Sequence, residues 1–230
     1  MGEVWNLEHR TIAFLGVGCE RYARFCAALI VSANPKGRVL VWDASTCRSL
    51  FIGTVGDASE KTVYFRSMVY TIDTEYARSH LEEYDVIIVT DDFAKERGSF
   101  REYGDYIDYV YLCMSANRYA LEVMLRAASS IVGKKLPVTY IFCGSSEDVE
   151  RWRVREYWKY LQGRNSESRK TLYIPLCESD MQAMLRLEYG LFRMKDLSDG
   201  MHDLFFDFSE KLNIDSNVIQ GIEQSTMFNT

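Results

Sequence analysis

Proline is scarce in this chain, with three in 230 residues, and no long stretch is rich in serine, glycine and proline. Without such a linker there is no internal domain boundary to read, and the length suits one core. Histidine is equally sparse: His9, His80 and His202 stand alone, outside any metal-binding or catalytic spacing. The six cysteines (Cys19, Cys26, Cys47, Cys113, Cys143 and Cys177) form no C-x-x-C pair, so zinc-ribbon and dithiol redox sites are not indicated and no metal is expected. Most lie in apolar runs and read as buried free thiols of a reducing cytoplasm. No apolar run is long enough to span a bilayer, and the opening residues lack a charged-then-apolar leader, so the expected location is cytoplasmic. Positive charge is also short. Twenty-seven Lys and Arg face 33 Asp and Glu, a net −6, which repels a phosphate backbone and makes nucleic acid an unexpected partner. No internal repeat is visible.

What the chain has is core material, 47% hydrophobic and 13% aromatic. Strand-like runs fall at Thr11–Leu15, Arg38–Trp42, Thr62–Phe65, Val86–Thr90, Tyr109–Met114, Val138–Cys143 and Thr171–Ile174. Several, such as VLVW, VIIV and VTYIFC, are continuously apolar, as in strands covered on both faces. Helical patterns alternate with them at Cys19–Ala33, Tyr76–Glu83, Tyr119–Ile131, Asp148–Leu161, Asp180–Tyr189 and Met201–Leu212. The expectation is an α/β fold: a mostly parallel sheet of about seven strands with helices on both faces, in three layers. It spans residues 1–212 as one domain, with 213–230 a weakly ordered tail.

One segment carries a chemical motif. Thr11–Leu15 runs through Gly16-Val17-Gly18 straight into a helix, the layout that aims backbone N–H groups at a bound anion. A phosphate-binding loop follows its last glycine with Lys and Ser/Thr, for the phosphates and Mg²⁺. Here Cys19 and Glu20 stand there, with Arg21 next. A carboxylate at the mouth of the loop repels phosphate; in a helix's first turn it also satisfies the helix dipole by itself.

From near Glu8 to Leu212 the order of segments resembles the MinD/ParA family of deviant-Walker P-loop ATPases, whose loop reads K-G-G-x-G-K-[ST]-T. Phe14 and Leu15 fall on the first Lys and Gly, Gly16-Val17-Gly18 is retained, and Cys19-Glu20-Arg21 covers K-[ST]-T. Asp43, ending Val39–Asp43, matches the first acid of the family's D-x-D-like pair, with Ser45 at the second. Asp91, after Val86–Thr90, falls on the Walker B-like acid, and Leu172–Pro175 on the strand near the base-binding region. The resemblance thus implies a degenerate cofactor-binding set of Gly16, Val17, Gly18, Cys19, Glu20, Arg21, Asp43 and Asp91.

Phosphoryl transfer is catalysed mainly by positioning and by cations on the developing charge. Both lysine positions have lost their charge, so no catalytic residue is assigned and no cofactor is expected. Backbone binding of ATP or ADP stays open. A thiol at a helix start, as at Cys19, has its pKa lowered, but it has no histidine partner here. The pairs Asp91/Asp92 and Glu82/Glu83 are unspecific. Aromatic residues cluster at Tyr103, Tyr106, Tyr109 and Tyr111, and again at Trp152, Tyr157, Trp158 and Tyr160, as core or as a contact surface. Met201–Leu212 is amphipathic but carries Asp203, Asp207 and Glu210, which suits core packing better than anionic lipid, so direct membrane association is not expected. The resulting expectation is a non-catalytic MinD/ParA-like scaffold or localisation factor of a bacterial pilus, secretion or cell-organisation system. It has a TadZ/CpaE-like flavour and works through protein partners, with a homodimer among them. The alternative is an adenine-nucleotide-dependent dimerisation switch with weak or unconventional ATPase activity.

Overall fold

Alternation along strand β1 (Arg10–Gly16) divides the molecule into two cores. Ile12 and Phe14 enter one, Ala13 and Leu15 the other, because successive strand side chains point to opposite faces. The same split recurs in β2 (Val39–Asp43): Val39 and Val41 on one side, Leu40 and Trp42 on the other. It recurs again in β5 (Val86–Asp91), with Val86 and Ile88 against Ile87 and Val89. A computed structural model describes residues 9–48, 51, 60–65, 67–93, 100–131, 134, 136–144, 170–175, 177–188 and 193–224.

The remaining strands are β3 (Thr62–Phe65), β4 (Met68–Thr71), β6 (Tyr109–Ser115), β7 (Val138–Cys143) and β8 (Lys170–Ile174). They form one eight-stranded sheet in the order β3-β4-β2-β5-β1-β6-β7-β8. Every pairing is parallel except β3 with β4. The α/β sheet expected from sequence is therefore present, with one strand more. β4 carries no signal of its own: four residues are too few for a period, and pairing to β2 on one side and β3 on the other makes it a strand. A Thr62–Thr71 hydroxyl contact of 2.8 Å ties that hairpin across its strands.

One face is covered by α1 (Cys19–Ala33), α5 (Glu178–Glu188), α6 (Asp199–Lys211) and α7 (Ser216–Gln224). The other carries α2 (Thr74–Ser79), α3 (Phe100–Tyr103) and α4 (Arg118–Ile131). In α1 the buried set Tyr22, Phe25, Cys26, Leu29 and Ile30 follows the i, i+3, i+4, i+7, i+8 spacing of one helical stripe. Each large member adds roughly 1.5–3 kcal/mol on burial. The Asn34 N–H reaches the Ile30 carbonyl at 2.7 Å and closes the helix before Pro35. Asp73 caps α2 by accepting from the Glu75 and Tyr76 N–H groups.

Two differences from the sequence reading concern extent. The helix expected over Tyr76–Glu83 is α2 followed by a separate 3-10 turn at Leu81–Glu83. The segment expected as a weakly ordered tail carries α7, whose Ile219 and Ile222 are buried in the same core as α1. Its Ser, Asn, Gln and Glu residues dilute the pattern, and a short stripe (Val218, Ile219, Ile222) suffices once a neighbouring surface exists. The helix expected at Asp148–Leu161, with its aromatic and basic residues, lies outside the described residues. No helix among the described residues is long and apolar enough to cross a membrane.

Candidate functional site

The neighbouring central strands β2, β5 and β1 finish together at the C-terminal end of the sheet, where Leu15 pairs with Asp91 and Asp43 with Thr90. Parallel strands present their ligand crevices at this end. Gly16 and Gly18 turn the chain from β1 into α1, both at positive φ, 112° and 77°. At Gly16 even a methyl group is excluded, since a Cβ would lie 2.3 Å from the Cys113 carbonyl oxygen. Gly18 is the left-handed N-cap of α1, and its own Cβ would meet nothing. Val17, between them, packs against the second core. The backbone of an anion-binding turn is thus built, and α1 begins without any side-chain cap.

The side chains around it act otherwise. Phe14 is wholly buried, stacked on Tyr111 at 4.7 Å between ring centroids and close to Phe208 at 6.1 Å. It belongs to the core beneath α6. Cys19 is buried with its thiol 3.6 Å from the Asp91 carbonyl. Burial, reinforced by Cys113 and the nearby acids, pushes this thiol well up, so it stays protonated. The lowering expected of a helix-start thiol is reversed here because desolvation outweighs the helix dipole. Glu20 is half-buried in the first turn of α1; loss of water raises its pKa, with Asp43 and Asp92 adding to the rise against its own backbone N–H and Arg21. Arg21 lines a cavity of about 220 Å³ with Tyr22, Ile174, Pro175 and Asp180.

The two acids assigned from sequence do converge here, and both are occupied. Asp43 is buried; one oxygen accepts from the Ser45 N–H (3.1 Å), the Ser45 hydroxyl and the Thr90 hydroxyl (3.3 Å). Its other oxygen accepts from the Phe51 N–H at 3.0 Å. Asp91 is buried likewise, accepting from the Phe93 N–H (2.9 Å) and the Tyr103 hydroxyl (2.6 Å). Asp92 accepts from the Thr46 and Cys47 N–H groups and ties the loop after β2 to the end of β5. These donors engage both oxygens of each carboxylate, so the protein itself holds the acids in place. Among the described residues no group of three or more His, Cys, Asp or Glu is arranged to hold a metal ion.

Sequence reading did not find Ser45, Thr90 or Tyr103 as members of this network. Ser45 stood two residues from Asp43, the spacing of a local side-chain-to-backbone turn, and was legible in principle. Tyr103 lies on a single helical turn twelve residues after Asp91, and only the fold brings them together.

No family model matches the chain, and no curated protein matches it in sequence. Solved structures do match in fold. A ParA family ATPase from Chlorobium tepidum superposes with a TM-score of 0.55 at 17% identity, covering 94% of this chain and 100% of that one. An ATP complex of McdA from Cyanothece gives 0.64 at 12% identity, over 91% and 98% of the two chains. MinD from Aquifex aeolicus, solved with MinC, gives 0.54 at 16% identity, over 90% and 96%. The fold is MinD/ParA-like. At such identities the likeness extends to the fold alone.

Proposed function

We propose that this chain is a positioning or scaffolding protein on a MinD/ParA-like fold in which ATP hydrolysis has been lost. One observation carries the reading. The two carboxylates at the strand ends, Asp43 and Asp91, are buried and held by the protein's own donors, while Cys19 and Glu20 replace the charged and hydroxyl residues of a working loop. Glu20 sets a carboxyl group, not a cation or a hydroxyl, in the turn where a triphosphate would sit, and so opposes a bound anion. With no switch to drive, its protein contacts are constitutive, and the service proposed is the placing of a bacterial pilus, secretion or cell-organisation assembly. Calorimetric titration with ATP and ADP, with and without Mg²⁺, beside a phosphate-release assay, tests it. Expected are no saturable heat and no turnover; Mg²⁺-dependent hydrolysis that Gly18→Asp abolishes would overturn it.

A second reading, a nucleotide-dependent dimerisation switch, is favoured by the left-handed Gly18 and the lack of a side-chain N-cap on α1. It predicts adenine-nucleotide binding with a change of oligomeric state in the same titration, followed by light scattering.

A further inference from the structure

The opposite face of the sheet holds a cleft of about 660 Å³ between α3 and α4, remote from Arg21 and its cavity. Its apolar wall is Phe93, Phe100 and Leu125; Arg101, Arg126, Ser129 and Ser130 supply the rest of the described lining. Arg126 is half-buried and Arg101 exposed, and neither guanidinium makes a hydrogen bond or ion pair among the described residues. That is unusual in a chain with six more acidic than basic residues, where a guanidinium finds a carboxylate easily. The neighbouring cation is different: Lys134 lies 2.7 Å from Asp105 and over the Phe100 ring. Both serine hydroxyls donate to carbonyls one turn back, at 2.7 Å from Ser129 and 3.1 Å from Ser130, so each still has acceptor capacity only. Among the described residues, the strong donors left in the cleft are therefore the two arginines.

We infer that this cleft is a binding site for a small amphipathic anion, with an aromatic or branched apolar body against Phe93, Phe100 and Leu125 and a carboxylate, sulfonate or phosphate head on Arg101 and Arg126. The volume is that of a small-molecule pocket, and an apolar wall with few convergent charged donors is the usual make-up of one. Arginine's planar fork suits such a head group. Occupancy bears on the strand-end site as well. Phe93 gives its N–H to Asp91, and Tyr103, on the same turn as Phe100, gives Asp91 its hydroxyl. The inference stands whether or not nucleotide binds at the loop.

The test uses the full chain and the fluorescent anion anilinonaphthalene sulfonate, with its uncharged relative N-phenylnaphthylamine as control. Expected is one saturable site for the anion, with the neutral probe at least about tenfold weaker, since a hydrogen bond to a charged group is worth that much. Arg126→Gln should weaken the anion by about tenfold or more by the same measure. Ser129→Trp, at an exposed helix position, should block it sterically. Circular dichroism and the urea midpoint check that both variants remain folded. No fluorescence rise, equal affinity for the neutral probe, or unchanged anion affinity in both folded variants would overturn the inference.

Discussion

Replacing Tyr103 by Phe removes one oxygen from the middle of the proposed site and nothing else. Tyr103 is fully buried, with its ring edge-on to Trp42 and Phe100 at 5.7 and 5.4 Å, so the phenyl ring keeps its packing and no cavity opens. The lost contact is the 2.6 Å hydrogen bond to the Asp91 carboxylate, itself only 1% exposed. A hydrogen bond to a charged group contributes about 1.5–3 kcal/mol, and water does not readily reach this oxygen to replace it. We expect a loss of roughly 2 kcal/mol, and about 4–8 °C in Tm for a domain of this size. Urea denaturation should show a lower midpoint at unchanged slope, because the surface exposed on unfolding is the same. A companion Asp91→Asn and the double variant complete a cycle, in which a coupling of about 1 kcal/mol or more is expected. If Tyr103→Phe were within about 0.5 kcal/mol of the parent, the range of an ordinary surface change, the reasoning fails. Asp91 would then not depend on Tyr103, and its claim as a free metal-binding acid would revive.

Other substitutions probe the same frame. Gly16→Ala must push against the Cys113 carbonyl at a positive φ, so a loss of about 3 kcal/mol or more, or failure to accumulate folded protein, is expected in the same denaturation assay. Glu20→Gln tests the acidic turn through pH. Because the folded-state pKa is raised above its ordinary 4.5, the folded chain holds this proton more tightly than the unfolded one. Parent stability should therefore fall as pH rises from that value through the elevated one, then level off, and the variant's profile should lack this step. Lys170→Met leaves Asp207, 1% exposed, without its 2.9 Å ion pair, although Tyr111 still donates at 2.7 Å. With the lysine partly exposed, a loss of about 1–2 kcal/mol is expected at neutral pH. Burial opposes the Lys170 charge but Asp207 and Glu210 outweigh it and raise its pKa, so the parent loses this advantage only as pH climbs through that alkaline value. Thiol labelling of the native chain should modify exposed Cys47 quickly and spare Cys19, Cys26 and Cys113 until unfolding.

Much of the architecture followed from local pattern. The apolar runs of β2, β5 and β7 and the 3.6-residue stripe of α1 each report the burial of their own segment, so a parallel sheet with two covered faces could be read one window at a time. The glycines of the loop were legible for the same reason: the need for positive φ at Gly16 and Gly18 is local. So was the absence of a lysine at Cys19. What a window cannot contain is a partner. Phe14 was a missing cation in the sequence and is a ring stacked on Tyr111, some hundred residues away, in the fold. Asp43 and Asp91 stood at the expected strand ends, but whether they were free to hold a metal depended on donors from Phe51, Thr90 and Tyr103. The direction of the Cys19 shift also reversed, because helix position is a property of sequence and burial is a property of the assembled chain. Backbone geometry and hydrophobic period were thus determined by the sequence itself, through short-range sterics and side-chain polarity. The occupancy of each carboxylate and the arginine-lined cleft between α3 and α4 were decided only when distant segments were brought within hydrogen-bonding reach.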